Sequence, residues 1–429
     1  MMRSNAPSLF LHHATQLLTL AGRPVPRRGK DLAELGIISD GAVLTQGDVI
    51  VAVGRTRGLE SAARRLRAHR IDCRGRVVMP GFVDSHTHLV FAGSRVEDFE
   101  RRLAGQSYEA ISRAGGGIEY SARLLGRARA SELVAQASRF LEQFAAHGTT
   151  TVEVKTGYGL DVANELKSLR VIEQLRRRSR LEIVPTLLAA HAVPRAYRGR
   201  ARGYVHLVTN RLIPWAAKHG LAEFVDCFCD RVAFSVEDCR RVFDAGRRAG
   251  LVPRLHAEQL SRMGSLGMAI ELGAASADHL DYASAADLRA LARSDVVATL
   301  VPGANFHLGL RRYPPARRLI DAGAAVALAT DFNPGTSPTL NLQFILALAC
   351  SAMRMTPAEA ISAASINAAY SVRRAARLGS LEAGKQADLA VMDVDDYRKI
   401  PYFFATNHCV MTLKRGRIIY SRHSEQSRF

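Results

Sequence analysis

Short apolar runs alternate with amphipathic stretches along most of the chain, and this alternation predicts the fold. Eight runs rich in aliphatic residues span about 77–83, 149–154, 181–188, 224–228, 251–255, 274–277, 296–301 and 325–329. The stretches between them carry apolar residues at helical spacing. Strands that alternate with helices form parallel sheets, and eight such units predict a closed (β/α)8 barrel of the TIM type. An open doubly wound sheet is less favoured, because it gathers ligands at one switch point instead of many strand ends.

Three of the predicted helices are marked by the residues at their ends. Ser235 has the spacing of an N-cap, with a carboxylate three residues later. Thr356, Pro357 and Glu359 combine a cap, a proline at the first helical position and a carboxylate at the third. A third helix is predicted over 132–146, where a histidine and a glycine end it.

The two ends of the chain show a different pattern from the middle. Residues 8–75 and 378–422 contain short strands separated by turn residues. Both ends are therefore predicted to build one small β-sandwich beside the barrel. The predicted domains are a composite β-sandwich of residues 1–75 and 375–429 and a catalytic barrel of residues 76–374.

Composition narrows the class of protein. Of 429 residues, 48% are hydrophobic and 23% are charged, which is typical of a globular protein. The six cysteines follow no framework pattern and are interpreted as reduced, mostly buried thiols. No apolar run approaches the roughly 18–20 residues that span a bilayer, and no convincing signal cleavage site follows the start. We therefore expect a cytoplasmic protein without a membrane partner.

The formal net charge of +19 comes mostly from arginine. A nucleic-acid interface would combine basic residues with aromatics or a recognisable module, but Trp215 is the only tryptophan and the arginine runs have helical period. A solvated basic surface is the favoured interpretation, with no nucleic-acid partner. Such a surface can also attract an anionic small molecule.

Candidate chemistry is concentrated where the apolar runs end. His86 and His88 close the first run, and residues two apart on a strand face the same side. His256, His279 and Asp331 close later runs. A His-x-His pair alone also occurs as a structural feature, but ligand-type residues at several strand ends predict a metal site on a barrel rim.

Six segments resemble the amidohydrolase superfamily of metal-dependent barrel hydrolases. They are PGFVDSHTH (80–88), HLVFAGSR (88–95), KTGYGL (155–160), AAHAVP (189–194), LHAEQ (255–259) and DFNPGTSPT (331–339). The last five, in this order, are similar to the branch that opens the ring of 4-imidazolone-5-propanoate to give N-formimidoyl-L-glutamate in histidine breakdown. The resemblance covers essentially the whole chain and implies that reaction.

The resemblance also implies roles for single residues. The metal ligands would be His86, His88, His256 and Asp331, holding one Zn(II) or Fe ion per subunit. His279 and Asp331 would move the proton. Substrate would contact Arg95, Tyr158, His191, Gln259, Asn333, Gly335 and Thr336. The implied partner is an anionic small molecule, and a homodimer is compatible with the resemblance.

Several alternatives stay open at this point. Some relatives carry glutamate where this chain has Gln259, and a neutral amide is expected to bind the ring instead of moving a proton. A cyclic amidine or nucleobase deaminase is the alternative activity, and ammonia release would distinguish it. A metal-free scaffold protein is a third interpretation, but it would be expected to lose ligands that this chain retains. His279 has an alternative role in orienting Asp331.

Overall fold

The computed structural model describes residues 6–422, and its strands form two eight-stranded sheets. The strands are β1 (Leu9–Leu18), β2 (Ile37–Gln46), β3 (Val49–Arg55), β4 (His69–Asp72), β5 (Val77–Pro80), β6 (Phe82–Asp84), β7 (Thr149–Lys155), β8 (Glu182–Ala190), β9 (Phe224–Cys229), β10 (Val252–Ala257), β11 (Ser276–His279), β12 (Val297–Leu300), β13 (Val326–Leu328), β14 (Leu389–Met392), β15 (Cys409–Lys414) and β16 (Arg417–Ser421).

Helices follow most of the strands. They are α1 (Thr56–Arg65), α2 (Val96–Leu103), α3 (Tyr108–Arg113), α4 (Gly117–Arg127), α5 (Ala130–Ala146), α6 (Val162–Arg178), α7 (Ala201–Leu207), α8 (Ile213–Lys218), α9 (Val236–Arg248), α10 (Leu266–Glu271), α11 (Ala285–Ala292), α12 (Pro302–His307), α13 (Ala316–Asp321), α14 (Leu342–Met353), α15 (Pro357–Ala363), α16 (Ile366–Ser371) and α17 (Lys399–Tyr402). Among the described residues, no helix combines the length and apolar character that crossing a membrane requires.

The eight strands β6 to β13 form the predicted barrel. Each is parallel to the next in chain order, and a parallel bridge between Thr87 and Phe332 joins the first to the last. The β-branched and aliphatic residues of these strands are buried, because helices cover the outside of the sheet. The predicted (β/α)8 architecture is confirmed.

One predicted strand is divided between the two sheets. The apolar run 77–83 was expected to be a single barrel strand, but β5 pairs with β1 and β14 whereas β6 pairs with β7. The chain changes sheets at Gly81, where an added Cβ would lie 2.2 Å from Thr150 Cγ2. Only glycine lets the backbone pass this close to Thr150. The single-strand prediction for this run was therefore wrong.

Both ends of the chain build the second sheet, as expected. Its strand order is β16-β15-β14-β5-β1-β2-β3, and β4 also pairs with β1. Most neighbours are antiparallel, and β1 runs parallel to β4 and β5. The predicted domain division stays a prediction, and its outer bounds at residues 1 and 429 lie outside the described residues.

The helix-end predictions are confirmed. The Ser235 side chain caps α9, and the Thr356 side chain accepts a hydrogen bond from Glu359 N at 3.2 Å to cap α15. Helix α5 begins at Ala130, two residues before the predicted start, and ends at Ala146 as expected. Gly148 follows with φ of +91°, a conformation that favours glycine.

Candidate functional site

Four histidines and one aspartate meet at the carboxyl end of the barrel strands. His86 and His88 follow β6, His256 lies in β10, His279 ends β11 and Asp331 follows β13. All five side chains are buried. The ligand atoms of His86, His88 and Asp331 lie within 4.8 Å of one another, as do those of His86, His256 and His279. The fold thus brings the four predicted ligands together with His279.

Backbone contacts between the first and last barrel strands position this group. Asp331 N donates to His86 O at 3.0 Å, and His88 N donates to Phe332 O at 2.9 Å. Asp331 and His279 have φ of +53° and +76°, which costs a non-glycine residue roughly 1–2 kcal/mol. Strained conformations of this kind concentrate at functional sites.

The spacing and burial of the donor atoms fit a metal ion. His88 Nε2 lies 3.4 Å from Asp331 Oδ1 and 3.5 Å from His256 Nε2. Donors that bind one zinc ion tetrahedrally at 2.0–2.1 Å are roughly 3.4 Å apart. His86 Nε2 is buried and has no hydrogen-bond partner among residues 6–422. A buried polar nitrogen without a partner is costly, so the site needs a further contact there.

Burial sets the protonation of the rings in this group. It lowers the pKa of His88 to about 4 and that of His279 well below its usual range, so both rings are neutral at pH 7. Neutral imidazole is the form that binds a metal or accepts a proton. Burial and Lys155 also lower the pKa of His86, but Asp278 and Asp331 raise it to about 9. Carboxylates that attract a proton to His86 equally favour a divalent cation.

A cavity of about 630 Å³ has this group as part of its wall. The metal-type residues that line it are His88, His256, His279 and Asp331. Six of the predicted substrate residues also line it, namely Arg95, Tyr158, His191, Gln259, Asn333 and Thr336. The cavity therefore joins the predicted substrate residues to the predicted ligands.

Positive charge dominates the cavity wall. Five arginines contribute to it, against two aspartates, Asp281 and Asp331. The arginines are Arg95, Arg102, Arg231, Arg311 and Arg312. A cleft lined by one sign of charge raises the local concentration of oppositely charged molecules. The cavity is thus suited to an anionic ligand.

Arg95 is held in the wall by an ion pair and by a close backbone. Its Nε donates to Asp98 Oδ2 at 2.9 Å, and the same oxygen accepts a hydrogen bond from Gly117 N at 2.9 Å. A Cβ added at Gly335 would lie 2.0 Å from Arg95 Nη1. Gly335 itself does not line the cavity. The absence of a side chain at Gly335 therefore leaves room for the Arg95 guanidinium.

Tyr158 and His191 form one side of the cavity beside the predicted ligands. The His191 ring is stacked on His88, with centroids 5.0 Å apart and planes 19° apart. His191 Nδ1 donates to Gly157 O at 3.1 Å, so its Nε2 is the acceptor of the neutral ring. The Tyr158 ring lies 5.4 Å from that of His191. These two rings present aromatic surface and polar atoms together.

Asn333 shapes the loop that follows Asp331. Its Oδ1 accepts hydrogen bonds from Gly335 N at 2.8 Å and Thr336 N at 2.7 Å. Its Nδ2 donates to Asp331 O at 2.6 Å and to Thr336 Oγ1 at 2.9 Å. Most of its polar capacity is therefore used within the loop, which fixes Thr336 at the cavity wall.

Gln259 and Glu258 face different surroundings. Gln259 is half-buried and lines the cavity. The Glu258 carboxylate instead accepts hydrogen bonds from Met263 N at 2.6 Å and from Ser265 N and Ser265 Oγ at 2.8 Å. It holds the loop after β10, and it does not line the cavity. The two adjacent side chains therefore have separate roles, with Glu258 in the loop and Gln259 at the cavity.

Sequence reasoning missed the carboxylates behind two predicted ligands. His86 Nδ1 contacts Asp278 Oδ2 at 2.6 Å, and His256 Nδ1 lies 3.0 Å from Asp226 Oδ2. Both aspartates are wholly buried. Alternation along β9 places Asp226 on the same face as Phe228, which lines the cavity. This alternation in the sequence could have identified Asp226 as a residue that faces the site.

Comparisons with known proteins agree with this geometry. Residues 70–119 and 101–420 match the model described as "Amidohydrolase family". The chain is 47% identical to the imidazolonepropionase of Chloroflexus aggregans, covering 96% of this chain and 98% of that protein. It is 44% identical to the imidazolonepropionase of Geobacillus kaustophilus, covering 96% and 97%.

A solved structure extends the agreement to the fold. The atrazine chlorohydrolase of Arthrobacter aurescens TC1, determined in complex with zinc, superposes with a TM-score of 0.65 at 15% identity. The superposition covers 96% of this chain and 95% of that one. At this identity the likeness concerns the architecture alone.

Proposed function

The chain belongs to the amidohydrolase family, and we propose that it hydrolyses 4-imidazolone-5-propanoate to N-formimidoyl-L-glutamate in histidine breakdown. Near-full-length identity of 41–47% to imidazolonepropionases supports this activity. The observation that carries it is the arginine-rich cavity that also exposes the predicted metal ligands. Such a cavity can hold a small anion by its carboxylate while its ring meets the reacting centre.

The residues present fit one metal ion. His86, His88, His256 and Asp331 would hold it, and three imidazoles with one carboxylate suit either Zn(II) or Fe. When bound, such an ion activates water at neutral pH and polarises the carbon under attack. We propose a single ion per subunit. A second ion would need a carbamylated lysine to bridge the two metals, but Lys155 pairs with carboxylates as a charged ammonium.

Ring opening adds water across a carbon–nitrogen bond. Oxygen joins the ring carbonyl carbon, the bond to the ring nitrogen breaks, and that nitrogen takes a proton. We assign the proton transfer to His279 and Asp331. The neutral His279 ring lies 5.2 Å from the His256 ring and 5.4 Å from the His86 ring, between centroids. A neutral imidazole at this place can accept a proton from water and return it to the leaving nitrogen.

The remaining wall would bind the substrate without changing it. The propanoate carboxylate is untouched by the reaction, and we assign its recognition to Arg95, whose guanidinium can meet both oxygens. Tyr158 and His191 would complete that side of the cavity. Gln259 would hydrogen-bond the ring, because an amide does not transfer protons at neutral pH. Asn333, Gly335 and Thr336, in the loop that follows Asp331, are also proposed to contact the substrate, and Gly335 leaves room for the Arg95 guanidinium.

The test is direct turnover of the proposed substrate. Purified protein should consume imidazolone propanoate, measured by loss of its ultraviolet absorbance, and should release formimidoyl glutamate without ammonia. Ammonia release in step with substrate loss would instead identify a deaminase. Absence of turnover by protein with a full complement of Zn(II) or Fe would refute the proposed reaction.

Two further parts of the proposal concern the whole molecule. We propose a homodimer, to be tested by the molar mass in light scattering. We also propose a cytoplasmic location, supported by six cysteines that form no disulfide within the described chain. Fractionation of cells that express the protein tests the location.

A further inference from the structure

A layer of buried charge lies beneath the predicted metal ligands. It consists of Glu153, Lys155, Asp226, Arg254 and Asp278, which are at most 1% exposed. They come from four of the eight barrel strands, β7, β9, β10 and β11. The interior layers of such barrels are usually filled by branched aliphatic side chains. Five charges in one layer therefore require an explanation beyond packing.

Lys155 is the member that joins both ligand histidines. Its Nζ lies 2.9 Å from Asp226 Oδ2 and 3.8 Å from Asp278 Oδ2. Those same two oxygens lie 3.0 Å from His256 Nδ1 and 2.6 Å from His86 Nδ1. The Lys155 ammonium thus lies close to both carboxylates, and each carboxylate contacts one of the two histidines.

Two further contacts fix the position of the ammonium. Glu153 Oε1 accepts a hydrogen bond from Lys155 Nζ at 2.9 Å, and Thr186 Oγ1 also donates to that oxygen. The other oxygen, Glu153 Oε2, accepts from Thr87 N at 3.2 Å, in the residue between His86 and His88. The lysine is therefore tied to the segment that carries two of the predicted ligands.

Of the two carboxylates that contact the histidines, Arg254 pairs only with Asp278. Its Nη2 donates to Ser85 O at 2.7 Å and to Asp278 Oδ2 at 3.3 Å, and its Nη1 donates to Ser371 O at 2.8 Å. It lies near Asp278 but makes no ion-pair contact with Asp226 among residues 6–422. Lys155 is consequently the cation that contacts the carboxylate behind His256.

The charges also require a cation at the ligand group. Glu153, Asp226, Asp278 and Asp331 are four buried carboxylates, but Lys155 and Arg254 supply only two positive charges. A buried charge is expensive unless it is paired. Metal binding requires the histidine ligands to be neutral, and with these rings neutral a divalent ion would balance the two carboxylates that remain. Loss of Lys155 would leave a larger unbalanced charge directly behind the ligands.

We propose that Lys155 is a positioning residue that orients His86 and His256 through Asp278 and Asp226. A carboxylate oxygen 2.6 Å from His86 Nδ1 or 3.0 Å from His256 Nδ1 favours the ring proton on that nitrogen, which leaves Nε2 free to bind the metal. This inference rests on the proposed metal site but not on the identity of the substrate. It assigns a function to the lysine that the metal ligands alone do not explain.

The test measures metal binding by the full-length chain. Wild-type protein and Lys155→Met are stripped of metal and titrated with Co(II) against a competing chelator, while visible absorption reports the ligand geometry. We expect Lys155→Met to bind Co(II) about 10–100-fold more weakly, with an altered spectrum. Equal affinity and an equal spectrum in the folded variant would overturn the proposal.

Lys414→Met is the matched control. Lys414 is also a buried lysine, with Nζ 2.8 Å from Asp388 and 3.2 Å from Glu182. It contacts Thr151, four residues before Lys155 on β7 and so about 13 Å away along the strand. The control variant should lower the unfolding temperature and leave Co(II) affinity and spectrum unchanged. If it weakens Co(II) binding as much as Lys155→Met, the effect is general destabilisation and the proposal fails.

Asp226→Asn decides the question if Lys155→Met does not fold. It keeps the shape of the side chain but removes the charge that links Lys155 to His256. The same weakening and spectral change are expected, and unchanged Co(II) binding would overturn the proposal. A wild-type protein that binds no Co(II) would refute the proposed metal-dependent function itself. Normal Co(II) binding without substrate turnover would refute only the proposed reaction.

Discussion

Replacing Gly335 with alanine should displace the guanidinium of Arg95 and thereby weaken recognition of the substrate carboxylate. The added Cβ would lie 2.0 Å from Arg95 Nη1 and 2.4 Å from Arg95 Cζ. Ordinary contacts between such atoms are about 3.5–4.0 Å, so the guanidinium must retreat by roughly 1.5 Å. The Gly335 backbone is not left-handed, so alanine adds little backbone strain.

The magnitude follows from the contact that is lost. A hydrogen bond to a charged group contributes about 1.5–3 kcal/mol, which corresponds to roughly 10–150-fold in kcat/KM. A displacement of about 1 Å at a substrate-positioning residue can cost a similar factor of roughly 10². We therefore expect Gly335→Ala to lose roughly 10–150-fold in kcat/KM with its metal content unchanged.

The assay compares two substrates across four proteins, namely the wild type, two single variants and their double variant. Imidazolone propanoate and an analogue with its carboxylate masked as an amide are each measured with wild type, Gly335→Ala and Arg95→Gln. The variants should lose activity on the first compound and change little on the second. The double variant should lose no more than Arg95→Gln alone, because both changes remove one contact.

Gly267→Ala is the control for a glycine replacement. Gly267 lies in α10, and an added Cβ there would meet nothing within 4 Å. Activity should be unchanged, and stability should rise by about 0.5–1 kcal/mol because alanine favours the helix. Full activity of Gly335→Ala on the natural substrate would refute the steric link to Arg95. Equal losses on both compounds would mean that the carboxylate is recognised elsewhere.

Three further predictions follow from the site. His256→Ala should lose most of its bound metal, measured by elemental analysis, and all turnover, because such sites rarely tolerate loss of a protein ligand; normal metal content would contradict its role. His279→Ala should keep the metal but lose roughly 10²–10⁴-fold in kcat, and a loss of only a few-fold would assign it a structural role. Burial raises the pKa of Glu165 from 4.5 to about 7, so the folded protein retains a proton that the unfolded chain releases. The free energy of unfolding of the wild type therefore falls as pH rises from about 4.5 to 7. Glu165→Gln lacks this titration, so its free energy of unfolding in urea should gain up to about 3 kcal/mol relative to the wild type over that range. A difference that does not change with pH would contradict the raised pKa of Glu165.

The sequence alone determined most of the secondary structure and the kinds of ligand. Apolar runs and cap residues act over a few neighbours, so Ser235 and Thr356 could be assigned as N-caps before any contact was known. His86 and His88 could be paired for the same reason, since two residues on a strand share a side. The pattern of apolar runs also marked His256 and Asp331 as candidates, and the resemblance to the amidohydrolase superfamily implied that they are the distant ligands.

The tertiary structure decided what depends on residues far apart in the chain. The apolar run 77–83 looks uniform, but the close approach of Thr150 at Gly81 divides it between two sheets. In the sequence Lys155 is only one residue of the segment KTGYGL, whereas the fold places it behind two histidines that are predicted ligands. The substrate contact of Gly335 stays a prediction, and the structure adds its close approach to Arg95. Each of these outcomes depends on a distance between separate strands or loops, and periodicity along one segment contains no information about such distances.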